Sequence, residues 1–449
     1  MWAGQRHELL GRTFPCPVGC GREHTVPTRE IVLAPGALVE LPAVAQRQGL
    51  ERQVLLVADE RTWMAAGAEV EALLARAGFQ VTSFVLTGAV KADESTAEKV
   101  QSQVATETAW LCAVGAGTIN DLTKHAATQR KRPYLTVPTA ASMNGYTSAL
   151  VALTVRGVKR TLPAQPPVAV VADVKVLRAA PGEMTAAGLG DLLSKPVSQA
   201  DWRLAHLIWG EYFCDLPRLL GEDLEPLYLG HPEAFAQGNS EAIAALTEAL
   251  LYSGISMVLA GSSAPASGGE HLISHCLDMR AAFMGREPSL HGAQVGVATL
   301  VMAALYERLL QLTRKDLKPP AVRPWADWER DLRTFYGPLG TEVATEFRRK
   351  YLPSEGAAAR FRWLIEHWEE IQAAVRLTFR PPGELRAWLR AAGAPTTSGE
   401  LGITASEFRA TVLHAREIRA RYTGLDLAYE VGLLPEALDE VLRASGVLP

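Results

Sequence analysis

AVGAGTINDL, residues 113–122, runs from a short apolar stretch through two glycines into a spacing that suits a helix. Such a strand, turn and helix would present backbone N–H groups and the positive end of a helix dipole to an anion, the geometry of a pyrophosphate cradle. It departs from the usual dinucleotide fingerprint, because Asn120 stands where the third glycine of G-x-G-x-x-G would fall. A plain strand-to-helix junction would use the same glycines, so this stretch sets the fold class more firmly than the ligand.

On either side the same alternation recurs. QVLLVAD (53–59), QVTSFVLTG (80–88), PYLTVPT (133–139) and VAVVADVKVL (168–177) read as buried strands beside AWLCAVGAG (109–117). EVEALLARAG and STAEKVQSQVATE read as the crossover helices between them, and ALVALTV with KRTL as a hairpin across Gly157. Beyond PGEM at 181 the strand signals stop, and runs such as 241–261 and 292–311 are apolar at helical spacing. The fold class expected is an α/β nucleotide-binding domain over 1–180, followed by an all-α domain over 181–449.

The 449 residues carry a net charge of −4 with 48% apolar and 21% charged side chains, a globular composition without the broad basic surface that nucleic acid or anionic lipid would need. The amino-terminal residues lack the apolar core of a signal peptide, and no run reaches the roughly 18 uninterrupted apolar residues of a membrane helix. A cytoplasmic protein without stable membrane insertion is therefore expected. Five scattered cysteines fit a reducing compartment. Cys16, Cys20 and His24 in CPVGCGREH suggest a zinc knuckle, but no fourth ligand lies near in sequence, so a glycine-rich entry loop is the preferred reading.

Four further stretches carry chemistry. VPTAASMNGYTS (137–148) brings hydroxyls and small residues to the carboxyl edge of the expected sheet, where ligands sit in open α/β folds. GLGDLLSK (188–195) places Asp191 in the expected first turn of a helix, where the bland reading is a capping acid. SGGEHLISH (267–275) sets His271 and His275 four apart on one helix face. Glu270 precedes the first histidine, so the protease order H-E-x-x-H is broken, and Ser267 with Glu270 has the spacing of a capping box. HGAQVG (291–296) puts His291 at the head of another helix. One carboxylate and two imidazoles suit a divalent transition metal with positions left open for substrate, although their sequence separation decides nothing.

Taken in order, GAGTIND, VPTAASMNGYTS, GLGDLLSK, SGGEHLISH and HGAQVG resemble the sn-glycerol-1-phosphate dehydrogenase family, within the iron-containing alcohol dehydrogenase and dehydroquinate synthase-like superfamily. The resemblance runs from CGREHTVPT to IRARYTGLDLAYEVGLL. It implies NAD(P)H-linked reduction of dihydroxyacetone phosphate to sn-glycerol 1-phosphate for phospholipid synthesis, with NAD or NADP and one divalent metal, zinc or nickel. By motif position it implies Asp191, His271 and His291 as metal ligands, Asp191 also touching substrate, and His275 as substrate contact; because imidazole titrates near working pH, His275 is also the candidate proton relay. Gly115, Ala116, Gly117, Thr118 and Ile119 would hold the pyrophosphate; Thr139, Ala140, Ala141, Ser142 and Ser148 would line the nicotinamide side. Lys159, Arg160 and Lys195 are candidates for the substrate phosphate, and a homo-oligomer is expected.

Two positions depart from the family pattern. Asn144 replaces the aspartate of S-x-D-G beside the substrate, and Ala116 the middle glycine of GGGT. They leave three alternatives: a related polyol dehydrogenase, a dehydroquinate synthase-like enzyme on another ketone, and a catalytically impaired ligand-binding homologue.

Overall fold

The computed structural model describes residues 6–448. Its strands are β1 (Thr13–Pro15), β2 (Glu23–Thr25), β3 (Glu30–Ala34), β4 (Gln53–Asp59), β5 (Gln80–Leu86), β6 (Trp110–Gly115), β7 (Tyr134–Pro138), β8 (Leu150–Val155), β9 (Val158–Pro163) and β10 (Ala169–Asp173). Six of them form one parallel sheet in the order β3-β10-β7-β6-β4-β5. Two antiparallel pairs, β1 with β2 and β8 with β9, stand apart from it.

The sheet is buried on both faces, and the strand period of two explains how. In β4, Val54, Leu56 and Ala58 join one apolar cluster while Leu55 and Val57 join the other. In β6, Trp110, Cys112 and Val114 divide from Leu111 and Ala113 in the same way. Helices Leu41–Arg47 and Ala68–Arg76 cover the first face, and helices Glu94–Ser102 and Gly117–Arg130 the second.

By its contacts the chain divides into two units, Met1–Leu192 with Cys214–Ser263, and Leu193–Phe213 with Ala264–Pro449. The first holds the sheet, helix Gly182–Leu192 and the long helix Ser240–Ala260. The second is built from helices, among them Lys195–Trp209, Gly269–Phe283 and His291–Gln311, the last two packed against each other. No strand follows β10 among the described residues. Helices Ser240–Ala260 and His291–Gln311 are long and apolar enough to cross a membrane, but 72% and 83% of their most apolar windows lie inside the protein, as in core helices.

One local expectation needs correction, and three short strands were missed. The strand expected over 168–177 stops at Asp173, whose carboxylate accepts the N–H of Lys175 and caps a helix, Val174–Ala179, that buries Val174 and Leu177. The same carboxylate takes the N–H groups of Gly36 and Leu38, tying down the end of β3. β3 itself was not expected, nor was the hairpin of β1 and β2; both are short and half-exposed, so their alternation carries little signal.

Candidate active site

In the first unit the chain doubles back across β4, so β5 lies on one side of it and β6 on the other. Beside β4 and β6 the connections leave in opposite directions, the position at which open α/β sheets bind ligands. The turn after β6 opens there. Gly115 closes the strand, and a methyl group on it would run into the Ile119 side chain at 2.5 Å, so glycine is required for helix Gly117–Arg130 to pack so close. Ala116 precedes the helix with φ −86° and ψ −163°, extended backbone that any residue adopts, so alanine costs no strain at this departure from the family pattern. Ala116, Gly117 and Thr118 are half-buried, while Ile119 packs into the core.

The loop after β7 is anchored from three sides. Lys124, fully buried on helix Gly117–Arg130, donates to the carbonyls of Gly145 (2.6 Å), Ser148 (3.0 Å) and Leu150 (3.0 Å) and to Ser148 Oγ (3.2 Å). Burial pulls its pKa down to about 8 against the opposing charge of Asp121. Four oxygen acceptors around Nζ nevertheless favour the ammonium form at neutral pH. From a second side, helix Gly182–Leu192 presses Gly188 so close that a methyl group would overlap the Ala141 carbonyl oxygen. From the third, Gly254 of helix Ser240–Ala260 leaves no room for a methyl beside Thr147 Oγ1 and the Asn144 carbonyl, and Thr147 Oγ1 donates to Leu251 O at 2.5 Å. Thr139, Ala140, Ala141 and Ser148 are thereby buried, with Ser142 at intermediate exposure.

Asp191 lies next to last in helix Gly182–Leu192, not in a first turn as expected. A helix-capping role is therefore ruled out, because a carboxylate at that end opposes the dipole. Its partner is Asn144, which donates its backbone N–H to Oδ2 at 2.8 Å and its side-chain amide to Oδ1 at 3.3 Å. An aspartate at 144 would set a second negative charge there; asparagine supplies a donor instead. Lys159 and Arg160 lie on β9 at intermediate exposure; desolvation raises the pKa of half-buried Asp121, and the charges of Lys124 and, less strongly, Lys159 lower it.

In the second unit His271, His275 and His291 form a triangle, with ring centroids 6.2 Å (His271 to His275), 5.1 Å (His271 to His291) and 5.7 Å (His275 to His291) apart. His271 and His275 sit one turn apart on helix Gly269–Phe283, and His291 opens helix His291–Gln311, as the spacing predicts. Glu270 does not complete a capping box. Gly268 is the N-cap, and the Glu270 carboxylate accepts from the Gly268 N–H (2.7 Å) and from His271 Nδ1 (2.7 Å). Because a carboxylate can only accept, Nδ1 of His271 carries the proton and Nε2 the lone pair. For His291, Ser274 Oγ donates to Gln294 Oε1 (2.8 Å) and so accepts from Nδ1 (3.3 Å), which again leaves the lone pair on Nε2. Both imidazoles are thus fixed in the tautomer that offers Nε2 to a cation.

Behind Glu270 lies a second buried acid. Asp201 Oδ2 accepts the Gly269 N–H at 2.6 Å, and Oδ1 accepts from Gly424 N (2.6 Å) and the Tyr306 hydroxyl. Burial first and the Glu270 charge second push its pKa up to about 7. Sequence reading missed Asp201, Glu270 as the orienter of His271, and Lys124. Only Lys124 left a trace, as a cation three residues after Asp121 in a helix whose other buried side chains are uncharged. Lys195, the remaining phosphate candidate, opens helix Lys195–Trp209.

Residues 32–181 match the model of the iron-containing alcohol dehydrogenase family. A Bacillus velezensis protein named as an NAD(P)+ glycerol-1-phosphate dehydrogenase is 33% identical over 406 residues, 89% of this chain and 91% of that protein. The chain belongs to the glycerol-1-phosphate dehydrogenase family. Relatives of the same name in this family include one from Bacillus subtilis, 32% identical over 91% of this chain and 93% of its own length. Another, from Pyrococcus furiosus, is 37% identical over 62% and 78%. Among solved structures, glycerol dehydrogenase from Schizosaccharomyces pombe aligns over 94% of this chain and 92% of its own with TM-score 0.61, at 18% identity. Butanol dehydrogenase A from Thermotoga maritima aligns over 95% and 98% with TM-score 0.58, at 15% identity. Those two likenesses show that this family member has the fold expected of it.

Proposed function

We propose that the protein is a metal-dependent oxidoreductase of the cytoplasm that interconverts dihydroxyacetone phosphate and sn-glycerol 1-phosphate with NAD(P), for phospholipid backbone synthesis. The observation that carries this reading is near full-length similarity to relatives named for that activity. It also sets aside the polyol dehydrogenase, the lyase and the catalytically silent homologue as leading readings. Asp191, His271 and His291 are the proposed ligands of one divalent cation, zinc or nickel. The tautomers fixed by Glu270 and Ser274 support the two histidines, because neutral imidazole Nε2 beside a carboxylate oxygen is a good donor set for either metal. When bound, the cation supplies Lewis acidity to the substrate's ketone and the nicotinamide supplies hydride.

The chain's own groups do the rest. Gly115, Ala116, Gly117, Thr118 and Ile119 offer the helix amino terminus to the pyrophosphate; the fit is supported by ordinary backbone at 116 and by the close packing that Gly115 permits. Thr139, Ala140, Ala141, Ser142 and Ser148 line the nicotinamide side in a loop held by Lys124, so the ring meets a preorganised surface. Asn144 contacts substrate and orients Asp191, which touches substrate as well. His275 moves the proton at the substrate hydroxyl, since imidazole titrates near working pH. Lys159, Arg160 and Lys195 attract the phosphate, and the working form is a homo-oligomer.

The test is oxidation of NADH and NADPH with dihydroxyacetone phosphate or unphosphorylated dihydroxyacetone, before and after chelation and with zinc or nickel restored. Turnover confined to the phosphorylated ketone, lost on chelation and recovered with metal, is expected. Preference for the unphosphorylated ketone, or indifference to the chelator, would overturn the assignment.

A further inference from the structure

A second cluster of metal-type donors lies wholly within the first unit. The loop between β1 and β2 is closed by the Cys16 N–H on Arg22 O (2.9 Å) and turns through Gly19 and Gly21 at φ 75° and 79°, left-handed backbone that glycine adopts without strain. That turn carries Cys20, and β2 places His24 opposite Phe14. The fourth member arrives from far along the chain: Cys214, buried just before the short helix Leu216–Leu219. The four donor atoms all lie within 4.8 Å of one another. Cys16 Sγ is 3.6 Å from Cys214 Sγ, and His24 Nε2 is 3.4 Å from Cys20 Sγ and 3.7 Å from Cys214 Sγ.

These separations are the edges of a coordination tetrahedron. With Zn–S of about 2.3 Å and Zn–N of about 2.0–2.1 Å, tetrahedral angles require S···S of about 3.8 Å and S···N of about 3.6 Å. A covalent bond between two of the sulfurs would need about 2.05 Å and would account for neither the third thiol nor the histidine. His24 is set for the role: its Nδ1 lies 3.0 Å from the carbonyl of Leu259, an acceptor only, so Nδ1 carries the proton and Nε2 turns its lone pair to the sulfurs.

We propose that Cys16, Cys20, His24 and Cys214 bind one zinc ion in a closed structural site. Three soft thiolates and one imidazole select zinc over the hard cations, and four protein ligands leave no position for substrate. The ion fastens the β1–β2 hairpin to the 214–263 segment of the same unit. This site shares no residue with the proposed catalytic set and stands or falls without it.

Metal content and cobalt(II) substitution test it on the full-length protein. Reconstitution with cobalt(II) should give thiolate-to-metal absorption in the near ultraviolet and intense tetrahedral bands in the visible. An Asp-His-His site lacks sulfur and cannot give the former. The thiolate absorption should persist in His271→Ala and vanish in Cys214→Ser, with one equivalent of zinc lost from Cys214→Ser. Absence of thiolate absorption from cobalt-loaded wild-type protein would overturn the proposal whether or not the variants fold, and so would unchanged zinc content in a folded Cys214→Ser.

Discussion

Asp201 and Glu270 are both buried behind the histidines, where two negative charges together are costly. The folded protein therefore keeps a proton on Asp201 that the unfolded chain gives up in the ordinary carboxylate range. A raised folded pKa contributes stability in full below that range and loses it as pH rises toward about 7. Urea midpoints across pH 4 to 8 should show this fall in wild-type protein and a flatter profile in Asp201→Asn; an equal fall in both would show that another group titrates. Little of this was legible from sequence. His271, His275 and His291 announce themselves by spacing and residue type, but nothing local says that Glu270 turns back onto its neighbour or that Asp201 waits 69 positions earlier. Asn144 was visible as an oddity, and only its two bonds to Asp191 give it a reason.

Elements were easier to read where burial is two-sided. β4, β6 and β7 are continuous apolar runs bounded by turn residues, and they fall where the pattern puts them. β10 was overextended, because an apolar run does not reveal by itself that Asp173 will cap a helix inside it. Helix Ser240–Ala260 was legible as a helix but not as a partner of the loop after β7, because the small face that makes the contact looks like any Ala/Gly/Ser stretch. Gly254→Ala tests that contact. Its methyl group meets the Asn144 carbonyl at 2.6 Å, a backbone atom with nowhere to go, so a loss of about 1–3 kcal/mol is expected. Thermal melts should register it together with a raised KM for the dinucleotide; an unchanged melt would mean that the loop yields freely.

At the scale of the whole molecule, composition and the switch from strand to helical patterning gave the class and the order of its parts. They did not give the return of residues 214–263 to the sheet-bearing unit, since a helix's sequence does not record which core receives it. A fragment ending at Leu192 should therefore lack cooperative melting, whereas one in which residues 214–263 are rejoined to it by a flexible linker should regain it. A sharp transition in the shorter fragment would show that the sheet closes its core unaided. During synthesis the sheet's last strand leaves the ribosome well before Ser240 does. Residues 174–239 must follow before the loop after β7 can be clamped, so nascent chains expose unfinished apolar surface over that interval, a window in which holding chaperones would find a client.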